Sequence, residues 1–204
     1  MNSDKPSKYM LTMFSTAVWV CQLDIKNEIE NEVNEFIKKS KSVQNTNKGG
    51  DQYDRFLSQN FAGHIGNSIP SNPENPIGKF RVHSWVNVNK KGDYNERHTH
   101  LGHLEKINNS EVSLKSGVGG EVFLCGVYYL KVPKGSGEIR FYDPRGTIVR
   151  HTQCQQYYFG DVYYDTVTPE EDNMIFFPPW FEHSVSPTQT NEERISISFN
   201  VFLE

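Results

Sequence analysis

Arg194-Ile195-Ser196-Ile197-Ser198-Phe199-Asn200-Val201-Phe202-Leu203 is the stretch whose reading decides the fold. Ile195, Ile197, Phe199, Val201 and Leu203 fall on one face, and Arg194, Ser196, Ser198 and Asn200 on the other. That period of two is the signature of a β-strand with one apolar face. The polar face has two destinations. It can lie in water, as on any surface strand, or it can line a ligand cavity inside a jelly roll whose apolar faces pack outward under helices. In the second case, the arginine at the head of the strand can hold an anion.

Upstream, the pattern is β back to residue 80. Strands are expected over Phe80–Val88, Asn95–His100, Val122–Val132, Glu138–Tyr142, Gln156–Phe159, Val162–Val167 and Asn173–Pro178, besides Arg194–Leu203. Gly135-Ser136-Gly137 and Asp143-Pro144-Arg145-Gly146 punctuate them as turns. Many short strands separated by turn signals imply a sandwich or jelly roll. Residues 101 to 121 carry Gly102, Gly117, Gly119 and Gly120 and read as an insertion, possible as a lid or as a plain loop.

The first 79 residues read differently. Ala17–Leu23 is a strand candidate. Ile25, Ile29, Val33, Phe36 and Ile37 recur at helical spacing, with Asp24 placed to cap and Lys38, Lys39 and Lys41 late in the helix. Residues 45–52 are polar and Gly-containing, a connection. Residues 58–79 hold Pro70, Pro73 and Pro76 among Asn, Ser and Gly, an irregular surface stretch. The expected organisation is a single domain over 1–204: an N-terminal strand, helix and long loop (1–79) packed on a jelly-roll catalytic core (80–204).

Bulk properties exclude several functions. The formal charge is −4 and no basic run stands out, which gives non-specific nucleic-acid binding no electrostatic basis. No apolar run approaches the ~18 residues that a membrane helix requires, and no signal peptide is recognisable. Cys21, Cys125 and Cys154 are odd in number and widely spaced, so a reducing, cytoplasmic setting is expected. Exposed edge strands leave a homodimer possible.

The chemistry-bearing residues lie in two places. His98-Thr99-His100 on an extended segment directs two rings to one face. With seven histidines in the chain, such a pair also arises by chance as two exposed side chains. His183 follows the apolar run Ile175-Phe176-Phe177-Pro178-Pro179-Trp180-Phe181, and Arg194 follows eleven residues later. Three imidazoles suit Fe, Zn, Cu and Ni alike. Glu96, two residues before His98, is an alternative third ligand if the strand continues.

Taken together, His98-Thr99-His100, Gly126-Val127-Tyr128-Tyr129-Leu130, Ser136-Gly137-Glu138-Ile139-Arg140-Phe141-Tyr142-Asp143-Pro144-Arg145, Phe177-Pro178-Pro179-Trp180-Phe181-Glu182-His183-Ser184-Val185 and Arg194-Ile195-Ser196-Ile197-Ser198-Phe199-Asn200 resemble a prolyl-hydroxylase-related group of 2-oxoglutarate/Fe(II) oxygenases. The resemblance covers residues 80–202 well and the N-terminal region loosely. It implies a double-stranded β-helix, a cupin-like jelly roll that is mainly β with flanking helices. It also implies a dioxygenase that uses Fe(II) and 2-oxoglutarate to hydroxylate a small molecule or a protein side chain.

Carried over, His98, His100 and His183 face the iron, and Arg194 pairs with the distal carboxylate of 2-oxoglutarate. Ser196 and Tyr129 assist it, and Trp85 and Asn87 line the pocket; core packing is the competing explanation for Trp85, Tyr128 and Tyr129. The sequence departs from the family at His100, which stands where a carboxylate is usual. Two rivals differ in class: a three-histidine cupin-type dioxygenase that needs no 2-oxoglutarate, and a non-catalytic jelly-roll binding or assembly module.

Overall fold

The computed structural model describes residues 15–74, 76–101, 103–107, 111–115, 121–145 and 164–204, and at 103–107 and 111–115 the backbone alone. Two antiparallel sheets carry the fold. The strands are β1 (Trp19–Gln22), β2 (Asn47–Lys48), β3 (Asp51–Asp54), β4 (Phe80–Asn89), β5 (Tyr94–His98), β6 (His103–Ile107), β7 (Glu111–Lys115), β8 (Leu124–Lys131), β9 (Ile139–Tyr142), β10 (Tyr164–Val167), β11 (Asn173–Phe177), β12 (His183–Val185) and β13 (Arg194–Leu203). The helices are α1 (Lys26–Lys39) and α2 (Gln59–Ser68). The larger sheet runs β1-β11-β8-β13-β4-β3 and the smaller β10-β9-β12-β5-β2, while β6 and β7 pair with each other. This is the expected jelly roll.

Alternation along the central strands divides the interior in two. Ile195, Ile197, Phe199 and Val201 of β13 join Val86, Val88, Tyr128, Met174 and Phe176 under Ile29 and Val33 of α1 and Phe61 and Ile65 of α2. The opposite faces of β8 and β11 (Cys125, Val127, Tyr129, Ile175, Phe177) pack on Ile139 and Phe141 of the smaller sheet. With one face against helices and the other against a second sheet, the central strands read as apolar runs wherever no cavity interrupts them. Among the described residues, no helix is long and apolar enough to cross a membrane.

Four features correct the sequence reading. Asp24 does not cap α1. The Oδ1 of Asp172, a residue at φ 62°, accepts from the backbone N–H groups of Ile25 (3.2 Å) and Lys26 (3.0 Å). A carboxylate from a distant turn thereby serves the positive end of the helix. The stretch over 58–79 is not wholly irregular. Ser58 Oγ accepts from Phe61 N (3.0 Å) and starts α2, whose Phe61 and Ile65 are buried. Gly63 and Gly66 hide this helix from a propensity reading. Gly66 is there for contact, since a Cβ would lie 2.7 Å from the Phe80 ring.

The supposed connection over 45–52 holds β2 and the start of β3. Gly49 (φ 66°) and Gly50 (φ 59°) turn the chain between them, from the smaller sheet to the larger. Finally, β12, and β6 with β7 inside the supposed insertion, are strands that had no sequence counterpart. The strand expected at 156–159 and the start of that at 162–167 lie outside the described residues, as do His151 and Cys154.

Candidate active site

The cavity opens between the sheets. β5 and β12 pair with His98 directly opposite His183. His100, two residues beyond, is tied to the other segment by its backbone N–H, which donates to Pro179 O (2.9 Å). The ring centroids are 4.3 Å apart for His98 and His183, 5.0 Å for His100 and His183, and 5.3 Å for His98 and His100. One nitrogen from each ring lies within 4.8 Å of the other two.

The second nitrogen of each ring is already engaged. His98 Nδ1 faces Glu96 O (2.7 Å), His183 Nδ1 faces Phe181 O (2.9 Å) and His100 Nδ1 faces Asn200 Oδ1 (2.6 Å). Carbonyl oxygens only accept, so each Nδ1 carries the proton and each Nε2 presents its lone pair. Burial lowers the His98 pKa from its ordinary value. Burial, then the neighbouring His98, push His100 down to about 4. His183 is held well below the ordinary value by burial, then by His98 and His100. Neutral, pre-oriented imidazoles of this kind are what a divalent transition metal requires.

Glu96 is outside this cluster. Between the His98–His183 and Asn95–Val185 pairs the register shifts, setting Glu96 and Arg97 opposite Ser184 alone. This β-bulge breaks the alternation, so Asn95, three residues before His98, lines the cavity instead. Glu96 reaches Lys48 (3.2 Å) with its side chain 53% exposed.

Arg194 lies deeper in the same cavity. It is 2% exposed, and no carboxylate among the described residues pairs with it. Its Nη1 donates to Asn89 Oδ1 (3.1 Å), while its Nε has no partner. Tyr129 sets its ring 5.2 Å from the guanidinium carbon, and its buried hydroxyl makes no well-formed hydrogen bond. Asn87 Nδ2 donates to Ser198 Oγ (3.0 Å) and leaves its Oδ1 unsatisfied. Ser196 stands in register between Asn87 and Tyr129. Trp85 lines the wall beside His100, ring centroids 5.7 Å apart.

A buried guanidinium with unsatisfied donors is costly unless an anion completes it. The groups around it therefore fit a carboxylate ligand. Among the described residues, sixteen line the cavity and none of them is acidic.

Tyr128 faces the other way, its hydroxyl donating to Asp172 beneath α1. His64 pairs with Glu28 (2.9 Å) and His83 with Asp54 (3.2 Å), both apart from the cluster. Sequence reasoning missed Asn89, Asn95, Asn200, Ser198 and Thr46 as lining or supporting groups. Ser198 and Asn200 were visible on the polar face of β13, whereas Asn95 depends on the bulge and Thr46 on the turn into β2.

Residues 118–200 match the family model described as "Putative 2OG-Fe(II) oxygenase". Over that segment the chain is similar to this oxygenase family. The matched stretch contains His183 and Arg194; the His98–His100 pair lies upstream of it.

The fold of the chain is shared with several solved structures. HygX from Streptomyces hygroscopicus, with nickel, 2-oxoglutarate and hygromycin B bound, is similar at 10% identity with a TM-score of 0.59, over 92% of this chain and 83% of that one. The viral collagen prolyl hydroxylase of Paramecium bursaria Chlorella virus-1, a 2-oxoglutarate complex, is 17% identical with a TM-score of 0.55, over 90% and 94%. A Pseudomonas putida prolyl-4-hydroxylase is 12% identical with a TM-score of 0.56, over 93% and 94%. At these identities the likeness is one of fold. No curated protein matches the sequence.

Proposed function

We propose that the protein is an Fe(II)- and 2-oxoglutarate-dependent dioxygenase that hydroxylates a small molecule or a protein side chain. One observation carries this reading: three neutral histidines converge in a cavity that also buries an arginine without a carboxylate. His98, His100 and His183 would hold the metal through Nε2. Arg194, with Tyr129 and Ser196 beside it, would take the distal carboxylate, where a planar permanent cation offers two parallel donors.

Charge supports the pairing. Among the described residues the lining contributes one positive charge, that of Arg194, and a metal adds two, so a dianion is favoured over a neutral co-substrate. When bound, the metal and 2-oxoglutarate supply the oxidative chemistry, in which dioxygen is consumed, succinate and CO₂ are released and a substrate C–H bond becomes C–OH. The protein's own work is positional. β13 and β8 would hold the co-substrate, while β5, the residues just past its end and β12 would present the ligands. Trp85, Asn95 and Val185 wall the space in which a substrate would sit. The free thiols of Cys21 and Cys125 accord with a reducing compartment.

Anaerobic titration tests the reading. Fe(II)-loaded protein should acquire a visible charge-transfer band on adding 2-oxoglutarate, and aerobic incubation should release succinate. Metal binding with no response to 2-oxoglutarate would assign the site to a three-histidine dioxygenase of another kind. Absence of metal binding would remove catalysis altogether.

A further inference from the structure

We propose that Asn200 is a positioning residue for the metal site: its side-chain oxygen selects which nitrogen of His100 faces the metal. The inference rests on the functional reading above and concerns a residue that touches neither metal nor substrate in it.

The three histidines are oriented by two different means. His98 and His183 each bond the backbone carbonyl two residues earlier, Glu96 O and Phe181 O. Those acceptors belong to the same short segments and survive any side-chain substitution. His100 is past the end of β5, and its acceptor is the side chain of Asn200, one hundred residues away on β13. A carboxylate ligand offers equivalent oxygens, whereas an imidazole offers two inequivalent nitrogens, and the one that ligates is chosen by the bond the other makes. Placing histidine at position 100 therefore creates a requirement that an acceptor must meet, and the Asn200 amide oxygen meets it.

The amide is neutral, so the acceptor adds no charge to a cluster that holds no carboxylate among the described residues. It also ties the metal side of the cavity to the strand that carries Arg194 and Ser196, since all three point from the polar face of β13. One strand thus sets both ends of the space in which 2-oxoglutarate would lie.

The test reads the metal and the tautomer, independently of turnover. Long-range ¹H–¹⁵N imidazole spectra of the Zn(II)-loaded wild type should show His100 protonated at Nδ1; protonation at Nε2 would overturn the inference. Asn200→Ala should weaken Co(II) or Ni(II) binding, measured by chelator competition, by about 10–100-fold. Asn200→Asp, which restores an acceptor, should recover the affinity and shift the Co(II) d–d spectrum, because an anionic partner makes the imidazole a stronger donor. Wild-type affinity in Asn200→Ala, or no recovery in a folded Asn200→Asp, would reduce Asn200 to a packing role and leave the oxygenase reading intact. If the wild type binds no divalent metal, that reading fails first and this one with it. Should the alanine variant not fold, the tautomer measurement and the aspartate variant still decide.

Discussion

Replacing Arg194 with methionine should uncouple 2-oxoglutarate binding from metal binding. The arginine is 2% exposed, donates Nη1 to Asn89, lies against Tyr129 and has no partner for its Nε among the described residues, which leaves donor capacity for a ligand. Two charge-assisted hydrogen bonds to a carboxylate are worth about 1.5–3 kcal/mol each before losses, or about 3–4 kcal/mol together in a partly compensated site. That corresponds to about 100- to 1,000-fold in affinity. Methionine keeps the aliphatic stem and removes a buried charge whose desolvation the apo-protein bears alone, so the stability of the variant should not collapse.

Differential scanning fluorimetry with Ni(II) reads both effects. At 2-oxoglutarate one hundred times its wild-type Kd, binding stabilises by about 2.7 kcal/mol. For a chain of this size that raises Tm by about 5–10 °C. At the same concentration a variant weakened 100-fold should shift by about 1 °C. Titration with Ni(II) alone should give the same metal affinity for both proteins. A loss of 2-oxoglutarate affinity under about tenfold, or an equal loss for metal, would refute the assignment of Arg194 to the co-substrate.

Other expectations follow from the same geometry. Burial holds His98, His100 and His183 below the ordinary 6.5, His100 at about 4. Between those values the unfolded chain binds protons that the folded chain does not. Their contribution is therefore complete above about pH 6.5 and is lost as the pH falls toward the folded values; an apo-protein Tm that stays flat from pH 7 to 4.5 would contradict it. Phe61→Ala should cost about 3–5 kcal/mol, because Phe61 of α2 contacts Phe56, Tyr128 and Phe199 in the core, and a Tm change under about 2 °C would deny that α2 packs there. Gly126→Ala should abolish soluble expression, since the added Cβ would lie 2.3 Å from Ile175 O and 2.5 Å from the Phe199 ring; a stable variant would mean that β8 and β11 are further apart.

Much of the architecture was legible because strand periodicity is local. The alternation over Arg194–Leu203 reports which side chains share a face, and both faces are filled as it implies: apolar residues under α1 and α2, Arg194 and Ser196 in the cavity. α1 was legible for the same reason, its apolar positions recurring at helical spacing. α2 was not, since two glycines and a polar composition conceal a helix whose stability comes from burying Phe61 and Ile65 against a sheet formed later in the chain.

The amino-acid sequence by itself determined the class of fold, the presence of a histidine pair and a later histidine, and the arginine that heads the last strand. Chain order cannot express what strand pairing decides: that His98 stands opposite His183, that a bulge turns Glu96 outward and Asn95 inward, and that Asn200 supplies the third imidazole's partner. Each of these depends on register between segments roughly a hundred residues apart, and a one-residue change of register exchanges the two faces of a strand. The residue types present are therefore a property of the sequence, while their convergence on one point is a property of the folded sheets.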